Sequence, residues 1–212
     1  IVGTPEEGTY ATSVEYSKDK ENWTKINLTN GDHNINVNAN DKVYLRNDSG
    51  YWNSYTDGSN FCRTSIIASA NHRVFGDIKT LLNYKISNAP LQKYCFYELF
   101  KEKTSKTLKN TPVLSDTTLA EGCYQSMFAY CEILTSVPEN LLPATTLAKN
   151  CYKELFKGCR SLSNVPRLPA TTLSENCYRD LFNNCTSLTT VPSDLLPATT
   201  MKESCYQGLF TY

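Results

Sequence analysis

The stretch Cys151-Tyr152-Lys153-Glu154-Leu155-Phe156-Lys157-Gly158-Cys159-Arg160-Ser161-Leu162-Ser163-Asn164-Val165-Pro166 is one copy of a unit that runs through the second half of the chain. Its opening hexapeptide has counterparts in Cys95-Phe96-Tyr97-Glu98-Leu99-Phe100, Cys123-Tyr124-Gln125-Ser126-Met127-Phe128, Cys177-Tyr178-Arg179-Asp180-Leu181-Phe182 and Cys205-Tyr206-Gln207-Gly208-Leu209-Phe210. Successive first cysteines are 28, 28, 26 and 28 residues apart. A second element, Leu-Pro-Ala-Thr-Thr-Leu/Met, begins at Leu142, Leu168 and Leu196, and a degraded copy runs from Leu114 to Leu119. A fixed period of this length decides architecture before local propensity does.

Within one copy, Cys151, Leu155, Phe156 and Cys159 fall at i, i+4, i+5 and i+8, the spacing of one face of an α-helix. Ser161 to Val165 carries two apolar residues and stops at Pro166, which predicts a short strand. A single helix–strand unit cannot bury its apolar face. Stacking sets each Leu, Phe and Cys against its equivalent and pairs the strands side by side, so the expectation is an α/β solenoid with a parallel sheet along one face. The 26-residue unit lacks two residues after its proline, where a loop absorbs the change.

Before residue 84 the pattern changes to short alternating segments separated by Gly, Asn and Asp. Ser13–Tyr16, Trp23–Ile26, Ile35–Val37, Lys42–Arg46, Phe61–Ala68 and Arg73–Ile78 read as strands, and Lys18-Asp19-Lys20, Asn30-Gly31, Asn40-Asp41 and Asp57-Gly58 as turns. The expected fold class is therefore α+β: a small antiparallel, Ig-like β-sandwich over residues 1–83, then a leucine-rich-repeat array over residues 84–212. The stretch Ser17 to Trp23 faintly resembles the Asp-box hairpin of sialidase-type propellers, but it is a residue short and lacks the glycine, so a plain hairpin is the favoured reading.

From Phe156 to Leu173 and from Phe182 to Met201, the pattern Phe-x-x-Cys-x-Ser-Leu-x-x-Val-Pro followed by Leu-Pro-Ala-Thr-Thr-Leu/Met resembles the BspA-like leucine-rich repeat proteins of anaerobic gut bacteria. The resemblance covers residues 85–212. It implies a secreted or cell-surface location and a part in adhesion or host interaction, with no catalytic residue to carry over. Two departures stand out: the first copy has no second cysteine, and the last stops at Tyr212, before its strand segment. The opening Ile1-Val2-Gly3-Thr4-Pro5 suggests a processed product, and membrane attachment is expected only through a lipid anchor on a removed N-terminal signal.

Lys+Arg and Asp+Glu total 21 each, so nothing in the charge balance steers the chain to nucleic acid. No apolar run approaches the roughly 20 residues of a membrane span. Eight of the nine cysteines occupy repeat positions. Cys151 and Cys159 stand too far apart along a helix, about 12 Å, to bridge each other. Packed free thiols are favoured, with disulfides between neighbouring copies and zinc as the alternatives; His33 and His72 both lie outside the repeats.

Neither a nucleophile–base pair nor a phosphate-binding glycine loop is evident, so no catalytic residue, cofactor or metal is expected. The candidate ligand-binding residues are Tyr51, Trp52 and Tyr55, whose rings flanked by Asn and Ser either suit a sugar or pack their own loop or the domain junction, the structural reading being favoured, and the small polar row Ser136, Asn164 and Thr190 on the strand face. The expected function is an exported surface binding or adhesion module recognising a host protein or glycan. The alternative is a structural spacer that presents another domain.

Overall fold

The computed structural model describes residues 13–27, 33–47, 54–55, 61–62, 65–83, 85, 90–102 and 106–212. It divides into two compact units, and neither is one continuous stretch: residues 1–64 with 78–91, and residues 65–77 with 92–212.

In the first unit the alternating segments become strands β1 (Ser13–Ser17), β2 (Thr24–Asn27) and β3 (Tyr44–Arg46). Their order is β2-β1-β3, antiparallel throughout, with Val14 opposite Ile26 and Tyr16 opposite both Thr24 and Leu45. The β1–β2 turn is locked by side chains. Asp19 Oδ1 accepts from Ser17 Oγ and from the backbone N–H groups of Glu21 and Asn22, each at 2.8 Å. Asn22 Nδ2 donates to Asp19 Oδ2 at 2.8 Å, and the Trp23 indole N–H donates to Lys20 O at 2.9 Å. Four hydrogen bonds to the ionised form hold the Asp19 carboxyl far below the usual carboxylate range, the Asn22 side chain contributing most. The plain-hairpin reading of this turn stands.

The expected β-sandwich does not form. Among the described residues, besides the three-stranded sheet there is one two-stranded ribbon, β4 (Ser54–Tyr55) with β5 (Phe61–Cys62), and a single helical turn, α1 (Thr80–Asn83). Among the described residues Ile35–Val37 joins no strand: Ile35 is half-buried, Val37 is 48 % exposed, and no second sheet covers them.

The repeats are also not what their spacing predicted: the array is not a helix–strand solenoid. Each Cys-Tyr-x-x-Leu-Phe segment is a run of overlapping turns, and α1 is the one α-helix among the described residues. Two kinds of backbone hydrogen bond alternate along it. In the third copy Cys151, Lys153, Leu155 and Lys157 donate to the carbonyl three residues back, while Asn150, Tyr152, Glu154, Phe156 and Gly158 donate to Glu175, Cys177, Arg179, Leu181 and Asn183 of the next copy. Both sets repeat from copy to copy. Every fourth residue is left-handed: Gly122, Ser126 and Tyr130; Asn150, Glu154 and Gly158; Asn176, Asp180 and Asn184; Ser204 and Gly208. A helix would send each N–H four residues back within its own segment and admits no recurring left-handed residue.

The strand expectation fails for a related reason. The segments around Leu134–Pro138 and Leu162–Pro166 are extended but build no parallel sheet. Ser163 N donates to Thr135 O at 3.0 Å and Arg167 N to Glu139 O at 2.8 Å, but the place of a ladder bond between them is taken by a side chain. Asn164 Oδ1 accepts from Val137 N at 2.9 Å, and its Nδ2 donates to Val137 O at 2.8 Å. Asn110 clamps Val74 in the same way. Pro138 and Pro166 have no N–H to give, so a continuous ladder cannot propagate.

Stacking puts like on like. Phe96, Tyr124, Tyr152, Tyr178 and Tyr206 form one column with ring centroids 5.8–5.9 Å apart, and Phe100, Phe128, Phe156, Phe182 and Phe210 form a second at 5.5–5.8 Å. The cysteines make two further buried columns, Cys95–Cys123–Cys151–Cys177–Cys205 and Cys131–Cys159–Cys185, with all eight thiols free. The segment 65–77 belongs to this packing. Ile66 N donates to Leu99 O at 2.8 Å, and His72 pairs in parallel with Leu108, so it lies against the first copy as the copies lie against one another.

Candidate functional site

The sequence-predicted binding residues do not gather at one described place. Tyr51 and Trp52 lie outside the described residues; Tyr55 sits in β4, opposite Phe61. Ser136 and Thr190 are exposed at equivalent positions of their copies, as expected for the row. Asn164, between them, is half-buried, and its amide is committed to Val137. The row is thus mixed: asparagines knit the array and hydroxyls face water.

A more regular surface lies at the Leu-Pro-Ala-Thr-Thr-Leu element, where Thr117-Thr118, Thr145-Thr146, Thr171-Thr172 and Thr199-Thr200 are all exposed. The backbone holds them at a bend. Thr145 N and Thr146 N both donate to Thr117 O at 3.1 Å, and Thr199 N and Thr200 N to Thr171 O at 2.9 and 3.1 Å. Parallel bridges pair Thr118 with Thr146 and Thr172 with Thr200. The flanking leucines explain why the surface is so regular. Leu142, Leu147, Leu168 and Leu173 are buried and fix each bend, and the two threonines between are turned outward. The sequence carries this signal, because packing does not require Thr-Thr at exposed positions in four successive copies, yet all four have it.

Some charged groups pair between copies: Lys93 with Glu121 at 2.9 Å, Lys149 with Glu175 at 2.7 Å, Arg167 with Glu139 at 2.5 Å. Exposed pairs of this kind stabilise weakly, by roughly 0–1 kcal/mol each.

The thiols are shielded. Burial raises the pKa of Cys95, Cys123, Cys131, Cys151 and Cys159 well above the ordinary thiol value, that of Cys177 to about 11 and that of Cys185 to about 12. Cys131, Cys159 and Cys185 donate Sγ–H to Phe100, Phe128 and Phe156 carbonyls at 3.2, 3.2 and 3.0 Å. These groups are hydrogen-bonded packing elements and not thiolate nucleophiles at neutral pH. Among the described residues no three His, Cys, Asp or Glu side chains are grouped to hold a metal, and no helix is long and apolar enough to cross a membrane.

Comparison with protein-family models, with curated proteins and with solved structures finds no match to this chain.

Proposed function

We propose that this chain is an exported cell-surface binding module of the adhesion type, without catalysis of its own, whose ligand is an extended glycan or host protein. The observation that carries this reading is the set of four exposed threonine pairs, of which Thr118 and Thr146, and Thr172 and Thr200, are bridged backbone to backbone between copies. Each pair offers two hydroxyls and two methyls. Repetition at the spacing of stacked backbones, about 4.8 Å where strands pair, turns them into an array that meets a repetitive ligand at several points. Weak single contacts then add through effective concentration. The family resemblance supports the surface location and the adhesive role.

The test is a binding screen of the whole protein against glycans and matrix proteins, run beside a Thr145→Lys/Thr171→Lys double variant. Binding by the unaltered chain that falls at least tenfold in the variant supports the reading. Unchanged binding moves the site elsewhere, with Tyr51, Trp52 and Tyr55 next to be replaced. A second reading, a structural spacer, is favoured by the two unbroken aromatic columns, which resist bending along the stack; it predicts no binding at all.

A further inference from the structure

The tyrosine column poses a problem in buried polarity. Tyr124, Tyr152 and Tyr178 are 0–1 % exposed, yet only the Tyr124 hydroxyl has a protein partner, donating to Asp116 Oδ2 at 3.2 Å. The hydroxyls of Tyr152, Tyr178 and Tyr206 are buried and have none. Asp116 lies eight residues before its tyrosine, and the same position holds Ala144 before Tyr152, Ala170 before Tyr178 and Ala198 before Tyr206. Ala144 and Ala170 are 0 % exposed. Where one copy places a carboxylate within reach of the phenol, the next two carry an alanine, which has no polar atom in its side chain to offer.

Burying a hydroxyl without a partner is costly, and nearly all buried polar groups in native proteins find one. Neighbouring phenols cannot serve each other, because rings 5.9 Å apart in near-parallel register hold their oxygens about a ring spacing apart. A water at mid-height between two such oxygens lies about 3 Å from each, within hydrogen-bond reach of both. Two hydroxyls give it the minimum of two partners that an internal water needs.

We infer that the tyrosine column binds a file of internal water molecules, one beside Ala144 and one beside Ala170, each joining two successive tyrosine hydroxyls. The file begins at the Asp116 carboxylate and runs towards Tyr206. The column also explains its own composition: Phe96, before the file begins, needs no hydroxyl, whereas the four members after it are all tyrosine.

Tyr152→Phe and Tyr178→Phe separate this from a dry column. If the hydroxyls are unpartnered, removing one relieves the penalty and the melting temperature rises. If they hold water, the substitution breaks a water-mediated link between successive hydroxyls and strands a water, and each variant melts about 2–4 °C below the parent. An unchanged or raised melting temperature in both variants overturns the proposal. Magnetisation transfer from water to the ring protons of Tyr152 and Tyr178 in the unsubstituted protein checks the same point without a variant. Cross-peaks with the sign of long-lived bound water are expected, and their absence at both rings overturns it.

Discussion

The β1–β2–β3 sheet and the repeat array solve the same problem, pairing buried backbone, by opposite means. In the sheet each strand meets a different partner, and alternation in the sequence says which residues face inward. The connection is locked by one carboxylate, that of Asp19, which accepts four hydrogen bonds within a few residues. In the array each segment meets a copy of itself. Half of its N–H groups point to the next copy, so no segment satisfies its own backbone. Damage to the sheet's turn should therefore stay local, whereas damage to one copy reaches both neighbours.

The largest effect is expected from Phe156→Ala. That ring is fully buried, 5.6 Å from Phe128 and 5.8 Å from Phe182. Its removal should cost about 3–5 kcal/mol in denaturant unfolding and expose amides of the flanking copies to hydrogen exchange. Exchange confined to the third copy would show that the copies are independent.

Gly158→Ala comes next. Gly158 has φ of 74°, and an added Cβ would stand 2.6 Å from Tyr130 Cδ1 in the preceding copy. A cost of about 1–3 kcal/mol is expected, measured the same way. Asn164→Ala should cost about 1–3 kcal/mol by stranding both polar groups of Val137, whereas the exposed Thr190→Ala should stay within about 0.5 kcal/mol.

The sheet gives a smaller and local response. Because the Asp19 carboxyl is depressed in the folded state, its contribution is complete above the unfolded carboxylate range, near pH 4. It is lost only as pH falls through the lower folded value. Asp19→Asn should remove that acid-side dependence and shift the amide resonances of Glu21 and Asn22 while leaving those of the array unchanged.

Asn150→Gly has the smallest effect and the most informative sign. With φ of 57°, glycine should be neutral or stabilise by a few tenths of a kcal/mol. In a helix interior the same change would destabilise, because glycine is the poorer helix former of the two.

That sign addresses why the helix reading failed. On a helix, residues i, i+4 and i+8 spread over only about 80°, so Cys151, Leu155 and Cys159 share a face. A segment whose pattern repeats every fourth residue lines up the same three side chains, and eight residues are too few to separate the two periods. The distinguishing signal lay in the polar residues. Gly122, Asn150, Gly158, Asn176, Asp180, Asn184 and Gly208 are types that tolerate left-handed backbone, and they recur at fourth positions. Taken one at a time they carry no weight; read as a set, they contradict a helix.

The candidate surface divides in the same way. Ser136, Asn164 and Thr190 look alike as small polar residues on an extended segment. Only packing shows that the asparagine is turned to Val137 while the others face water. The threonine pairs were visible as a motif, but nothing local distinguishes an exposed pair from a buried one.

By itself, the sequence determined that the second half is built of copies in a fixed register, that a hairpin with a polar turn precedes it, and that the cysteines belong to the repeat. Translation alone brings each Phe, Tyr and Cys onto its equivalent, whatever the shape of one copy, so the columns were implied by the period. Only the tertiary structure decided the shape of the copy. A backbone that gives half its N–H groups to the next copy gains hydrogen bonds that exist only once the neighbour is in place. No propensity measured along one segment contains that energy.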